Sequence, residues 1–390
     1  MKYMLLIYSP ENAWTNDEWH KCVADSTRVC QQLNTQNQLI DAAPLHPVAT
    51  GVTVRVRDEK TLVTAGPFAE TTEQLGGYYL IDVPDLDAAI AIAERLPPAA
   101  KGTVEIRPLL DLSGLPDDQP IETSGDQKLF MFLCYDNQAA WEKVGPEALE
   151  QAMQRAVEMT HDLAQSGHYV TVSPLHWTTA ATSVRIRDGK RLVTDGPFAE
   201  TNEFLGGFYL LKARSAEELL PYASRHPGLP FGSVEIREVV NIPRLPKGDP
   251  EEILCCRDVP VTVQQIFDAF QDPDRLARWW GPKGFRNTFE TFDFQPGGDW
   301  RFIMHGPDGT DYKNHHVFGT IEPPLLITSV HTSGPRFDWS MQLIELSPQV
   351  TRIVWRLRFA TKELRDQIAT YAIPANDENI DRLLAEIARV

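Results

Sequence analysis

Cysteine is scarce, and its spacing pairs none of it. The five residues are Cys22, Cys30, Cys134, Cys255 and Cys256, an odd number without a CxxC unit. That argues against a disulfide framework and for reduced, buried thiols in a cytoplasmic protein. Positive charge is also short. Lys and Arg total 37 against 54 Asp and Glu, for a formal net charge of −17. A general nucleic-acid binder needs a basic face, so no nucleic-acid partner is expected. No apolar run approaches the roughly 18 residues of a membrane span, so no membrane partner is expected either. The opening MKYMLLIYSPE meets an acidic loop after a short apolar run and reads as a strand, not a signal peptide. Metal ligands are equally thin. His305, His315, His316 and His331 lie near one another in sequence. Adjacent strand residues point to opposite faces, and no acidic or Cys partner sits at ligand spacing. No metal and no cofactor are expected.

What the sequence does have is a duplication. Residues 44–81 contain TLVTAGPFAETTEQLGGYYLI, and residues 174–211 contain RLVTDGPFAETNEFLGGFYLL, aligned without a gap. A repeat of that length is a duplicated domain rather than a solenoid unit. In the first copy, 2–8 is apolar and β-prone. Thr15 with Glu18 forms a capping box opening a helix with Trp19, Cys22, Val23, Cys30 and Leu33 on one face. Residues 54–57 and 60–64 alternate as strands about a turn at Asp58-Glu59. Gly76-Gly77 breaks the chain before a strand at 78–83, Asp85 caps a second helix, and 103–109 closes the unit. The order β-α-β-β-α-β with an inserted hairpin predicts a ferredoxin-like sheet with helices on one side.

Residues 113–126 are rich in Pro, Gly and Asp and read as a linker. The second copy then repeats the order. Its strand at 128–135, helix from Gly145-Pro146, Asp188-Gly189 hairpin and capping box of Ser215 with Glu218 are all visible. After a Pro-rich joint at 241–250 the pattern changes. A strand at 253–261 leads to a short helix capped by Thr262 and Gln265, and Asp272-Pro273 starts another. Residues 285–359 read as successive antiparallel strands. Asn376 is the expected cap of a last helix carrying Ile380, Leu383, Leu384 and Ile387 inward, with Asp381, Arg382, Glu386 and Arg389 polar. The expected domains are 1–112, 127–243 and 251–390.

VTDGPFAETNEFLGG resembles the signature of the YCII-related family, in its DGPF subgroup. The resemblance implies a dimeric α+β barrel in which two ferredoxin-like sheets pack face to face, here as an internal pseudo-dimer of the two repeats. FDAFQDPDRLARWWGPKGF and FQPGGDWRFIMHGPDG resemble the SRPBCC (Bet v 1-like) superfamily, in the group similar to the activator of Hsp90 ATPase. That resemblance implies a helix-grip fold with an internal apolar cavity. The fold class expected is therefore α+β throughout: tandem ferredoxin-like units followed by a helix-grip domain.

The duplicated polar set is His46/His176, Arg55/Arg185, Arg57/Arg187, Glu70/Glu200 and Glu73/Glu203. Two Arg residues two apart on a strand face the same way. They suit either a carboxylate or phosphate ligand or an ion-paired rim. DGPF in the second repeat is AGPF in the first, Asp195 against Ala65. Smaller relatives in the family are thought to use a His and Asp pair, and His176 with Asp195 is the pair available for proton transfer. The GPF turns lack the Lys-Ser/Thr and helix of a phosphate loop and read as rigid turns whose Phe plugs the core. In the last domain Trp279, Trp280, Trp300, Phe302, Phe318, Trp339 and Trp355, with Leu384, are candidate cavity lining. The first reading is a protein binding a small, partly apolar molecule in the helix-grip cavity. The YCII-like pair, with Arg185, Arg187 and Glu200, then serves as scaffold or second site. The rival is a lyase, isomerase or hydrolase using acid/base chemistry at His176 and Asp195. A chaperone-interaction module, suggested by the family name alone, comes last.

Overall fold

A computed structural model describes residues 1–57, 60–66, 73–198 and 203–389. The chain forms two compact units, Met1–Ser26 with Leu39–Ile242 and Thr27–Gln38 with Pro243–Val390.

The first repeat supplies β1 (Lys2–Ser9), α1 (Asn16–Thr35), β2 (Leu39–Pro44), β3 (Val52–Arg57), β4 (Lys60–Ala65), β5 (Gln74–Asp82), α2 (Leu86–Ala93) and β6 (Thr103–Pro108). Local chemistry sets the helix starts. The Thr15 amide donates to Glu18 Oε2 at 3.0 Å while the Glu18 amide donates to Thr15 Oγ1 at 3.3 Å. Asp85 accepts from the Ala88 amide at 2.9 Å. On α1 the buried apolar positions are Val29 and Leu33, whereas Trp19 is 41% exposed and Cys22 and Cys30 are half-buried, so only the C-terminal part of the expected stripe is covered. Gly76-Gly77 does not break the chain. The strand β5 runs through both glycines, and a Cβ at Gly77 would stand 2.9 Å from the Ala43 carbonyl oxygen, so glycine admits the close approach of β2.

The second repeat supplies β7 (Lys128–Asp136), α3 (Gln138–Val144), α4 (Pro146–Gln165), β8 (Tyr169–Pro174), β9 (Thr182–Arg187), β10 (Lys190–Asp195), β11 (Phe204–Ala213), α5 (Ala216–Ala223) and β12 (Gly232–Glu238). The short α3, capped by Asn137, was not foreseen. Ser215 makes no cap hydrogen bond to the amides of α5. Glu218 instead accepts from the Arg214 amide at 2.9 Å, one residue before the cap, so the expected capping box does not form.

Within each repeat four strands take the ferredoxin-like order, β6-β1-β5-β2 and β12-β7-β11-β8. The inserted hairpins, however, are exchanged. β9 pairs with β6 (Val104 opposite Val184), and β3 pairs with β12 (Val234 opposite Val54), giving two six-stranded sheets of identical plan. Each repeat thus covers the other's open edge, which would otherwise expose unpaired backbone groups. Single bridges, Leu45 to Val239 and Leu109 to Leu175, pair residues of one repeat with the other. The sheets share one core. Met4, Leu6 and Tyr8 of β1 pack in the same cluster as Met131, Leu133 and Tyr135 of β7. The opposite face of β7 (Phe130, Phe132, Cys134) meets α4 and α5 through Met159, Leu163 and Leu219. A central strand buried on both faces explains its continuous apolar run. Two ion pairs are also buried in this unit, Arg107 with Glu105 at 3.2 Å and Arg237 with Glu235 at 2.6 Å, each two residues apart on one strand.

The second unit contains β13 (Glu252–Val259), α6 (Val263–Gln271), α7 (Pro273–Trp279), β14 (Arg286–Phe292), β15 (Asp299–His305), β16 (Asp311–Glu322), β17 (Leu326–His331), β18 (Phe337–Ser347), β19 (Val350–Arg358) and α8 (Lys362–Ile387). Its seven strands form one antiparallel sheet in the order β13-β19-β18-β17-β16-β15-β14, so the two short helices link the two edge strands. Thr262 and Gln265 make the expected reciprocal capping box. The last helix does not begin at Asn376. Its cap is Thr361, whose Oγ1 accepts from the Leu364 amide at 3.3 Å, and the helix runs on past Pro374, leaving Asn376 in its interior and 5% exposed. Ile368, Ile380, Leu383 and Ile387 of α8 share a core with the inner face of the sheet, the helix-grip arrangement. Among the described residues, no helix is long and apolar enough to cross a membrane.

Candidate functional site

The second unit concentrates its aromatic residues inside. Period-two alternation puts Trp300 and Phe302 of β15, Trp339 and Met341 of β18, and Trp355 of β19 in the core, with Phe318 of β16. The helices α6 and α7 bring Phe270, Trp279 and the following Trp280. All seven ring residues singled out in the sequence are buried in one cluster, and Leu384 packs against it partly buried. Trp280 is the hub. Its ring centroid lies 4.7 Å from Trp300, 5.2 Å from Trp355 and 5.4 Å from Trp339. At 7% it is also the most exposed of the seven.

The polar atoms of this interior are unevenly served. Trp279 Nε1 donates to the Ala269 carbonyl at 2.9 Å. The Nε1 atoms of Trp300, Trp339 and Trp355 are buried without a hydrogen-bond partner among the described residues. The His316 ring lies 5.0 Å from that of Trp300, tilted by 38°, with Nδ1 2.9 Å from Ser329 Oγ. Burial, with His331 and His315 beside it, pushes the His316 pKa well below its ordinary value, and burial lowers that of His331 too. Both are therefore neutral at pH 7.

The loop after Trp280 is held by polar residues of α8. The Arg382 guanidinium donates to the carbonyls of Arg278 (2.6 Å), Gly281 (2.6 Å), Pro282 (2.7 Å) and Phe285 (3.0 Å). Asn379 Oδ1 accepts the Gly281 amide. Glu386, read from the sequence as one of the polar positions of this helix, is 2% exposed and takes a forked pair of bonds from Arg278, with Arg389 closing on its other oxygen at 3.1 Å. A helical period marks which face a residue occupies but not whether an Arg arrives from another element to cover it. His305 Nδ1 lies 2.6 Å from Asp311 and His315 Nε2 2.7 Å from Asp299, each a single His–Asp pair between neighbouring strands.

In the first unit the polar set is dispersed. His176 and Asp195 are both exposed, and among the described residues no hydrogen bond or ion pair joins them. The His176 backbone instead ties the repeats together, its amide donating to Pro108 O at 3.1 Å and its carbonyl accepting from Arg107 Nε at 3.1 Å. Arg185 donates to Thr103 Oγ1 at 2.7 Å and to Phe198 O at 3.1 Å. Arg187 donates to the carbonyls of Ala99 at 2.9 Å and Gly102 at 3.0 Å. Both guanidinium groups thus fasten an exchanged hairpin to the other repeat. Arg55 and Arg57 lie 3.8 and 3.9 Å from Glu203, as an ion-paired rim requires. Phe198 stacks on Tyr8 at 3.8 Å, the core plug expected of the GPF turn. Glu70, Glu200, Pro67, Phe68 and the Asp58-Glu59 turn lie outside the described residues.

Sequence reasoning missed Asp136. It ends β7, lines a cavity with His226 and Tyr209, and faces Phe204 across the ladder as Ser9 faces Gln74 in the first repeat. The one signal available was this Asp-for-Ser difference between otherwise matching strands.

The YCII-related domain family matches residues 1–113 and 128–243, and the family described as Activator of Hsp90 ATPase homolog 1-like protein matches 260–389. An uncharacterized protein of Rhizobium meliloti (strain 1021) is 38% identical over 114 residues, which is 28% of this chain and 92% of the relative. Among solved structures, a protein from Arthrobacter aurescens is 25% identical with a TM-score of 0.34, covering 37% of this chain and 91% of its own. A protein from Rhodobacter sphaeroides gives 22% identity and a TM-score of 0.35 over 38% and 99% of the two chains. Its two repeats, which carry more than half of the chain, place this protein in the YCII-related family, with an Activator of Hsp90 ATPase homolog 1-like domain following them.

Proposed function

We propose that the helix-grip unit binds a small, largely apolar molecule bearing a hydrogen-bond acceptor such as a carboxylate or carbonyl, with the YCII-like pair as its scaffold. The observation that carries this reading is the set of unpartnered indole N–H groups on Trp300, Trp339 and Trp355. Leaving a buried donor unpaired costs about 1–3 kcal/mol. A core that needed only volume would be served as well by Phe, which has no polar atom to leave unpaired. Indole offers a donor and no acceptor, so the complementary group on a ligand is an oxygen lone pair. The neutral His316 beside Trp300 adds a ring nitrogen without adding charge. The loop after Trp280, the least buried of the seven rings, is latched to α8 by Arg382 and Asn379.

Titration of the full-length protein with 2-naphthoate, followed by tryptophan fluorescence, tests the reading, with naphthalene as the probe lacking an acceptor. One hydrogen bond to a charged group is worth about 1.5–3 kcal/mol, so 2-naphthoate should bind at least about tenfold tighter than naphthalene. Trp339→Phe should erase most of that difference while retaining naphthalene binding. Equal affinities for the two probes, or no saturable binding of either, would overturn the proposal.

A further inference from the structure

We infer that the second repeat holds a separate site for a small alkylammonium ion, built on the carboxylate of Asp136. This site lies in the first unit and is independent of the helix-grip reading.

Asp136 is the last residue of β7. Its Oδ1 accepts from Trp141 Nε1 at 3.0 Å, a bond supplied by the short helix α3. Its Oδ2 has no hydrogen-bond donor among the described residues, and the carboxyl has no Lys or Arg in ion-pair contact. The group rests against bare backbone. A Cβ on Gly206 would fall on Oδ2, so glycine is the residue that leaves the carboxyl room. Behind it lies a cavity of about 70 Å³, walled by Leu149, Met153, Val172 and Phe208. One water occupies roughly 10–15 Å³ on this measure, so the space is that of about five waters, or a chain of three or four carbons.

The neighbouring titratable groups do not neutralise the carboxylate. His226 Nδ1 accepts the Gly228 amide at 3.2 Å, and burial drives its pKa down to about 4, so it is uncharged at neutral pH. The Cys134 thiol and the Tyr209 hydroxyl are pushed upward by burial and stay protonated. Glu203 adds a like charge nearby, itself facing Arg55 and Arg57. Asp136 is half-buried, and that burial lifts its pKa to about 6, so at pH 7.5 the carboxylate is ionised beside an apolar wall with no Lys or Arg in ion-pair contact among the described residues. An ammonium head at Oδ2 with an alkyl tail in the cavity satisfies both halves of the site. The first repeat has Ser9 and Leu96 where the second has Asp136 and His226, so one site per chain is expected.

The test is calorimetric titration of the full-length protein with n-propylammonium chloride, against n-propanol as the uncharged analogue. At pH 7.5 the ion should bind at one site per chain at least about tenfold tighter than the alcohol, and about tenfold weaker at pH 5, where the carboxyl is protonated. Asp136→Asn keeps an oxygen acceptor for Trp141 but removes the charge, and should abolish the preference for the ion. Met153→Phe fills the cavity while sparing the carboxyl, and should weaken ion and alcohol together. Equal binding of ion and alcohol, ion binding that survives Asp136→Asn, or no binding of the ion to the wild type would each overturn the inference.

Discussion

His226 and Leu96 occupy matching places in the two repeats, each followed by proline, yet only the histidine carries a titration into the fold. Burial lowers the His226 pKa from 6.5 to about 4. A group depressed on folding holds its full stabilising share above the unfolded value and loses it as pH falls through the folded one. The wild type should therefore lose stability between about pH 6.5 and pH 4, with His316 and His331 acting in the same sense. Asp136, raised on folding to about 6, acts oppositely and costs stability as pH rises from about 4 to 6. His226→Leu should shrink the acid loss by on the order of 2 kcal/mol, read from urea midpoints at pH 7 and pH 4. An unchanged pH dependence would mean that His226 is hydrated rather than buried. At this scale the sequence was partly legible. The aromatic residues of the last domain announce themselves by number, and the structure gathers the seven singled out into one cluster. Asp136 and His226 do not, because what perturbs them is burial by chain distant in sequence.

Among the elements, strands and hairpins were readable and their partners were not. Asp188 and Gly189 take φ of 51° and 70°, the left-handed pair that a two-residue hairpin between β9 and β10 demands. Nothing in the alternation of β9 states that it will pair with β6 of the other repeat, since an alternating strand pairs equally well with either open edge. Asn376 misled for a related reason. Asn is a favoured cap residue, but α8 already had its cap at Thr361, and the helix runs on past Pro374. The join where β12 starts against β7 has no slack. A Cβ on Gly232 would lie 1.8 Å from the Tyr135 carbonyl oxygen, and Gly102 stands equally close to Tyr8 in the first repeat. Gly232→Ala must displace a central strand and should cost about 2 kcal/mol or more, by thermal or chemical denaturation. A variant within about 0.5 kcal/mol of the wild type would show that the strand shifts freely.

For the whole molecule, the two repeats complete each other. Their hairpins are exchanged and their sheets share one core. A fragment of residues 1–127 therefore presents an uncovered sheet face, an unpaired β6 edge and a hairpin with no host. It should assemble into a dimer in which two copies trade hairpins as the two repeats do here, measured by light scattering on a size-exclusion column. A folded monomeric fragment would contradict the mutual completion. The aromatic interior of the second unit bears the functional claim, and indole N–H resonances report on it atom by atom. In 15N-labelled full-length protein, with indoles assigned by single Trp→Phe variants, saturating 2-naphthoate should shift the signals of Trp300, Trp339 and Trp355 downfield together. Trp279, already bonded to the Ala269 carbonyl, should move least. Three indole signals unmoved at saturation, or shifts confined to tryptophans outside this interior, would contradict the account.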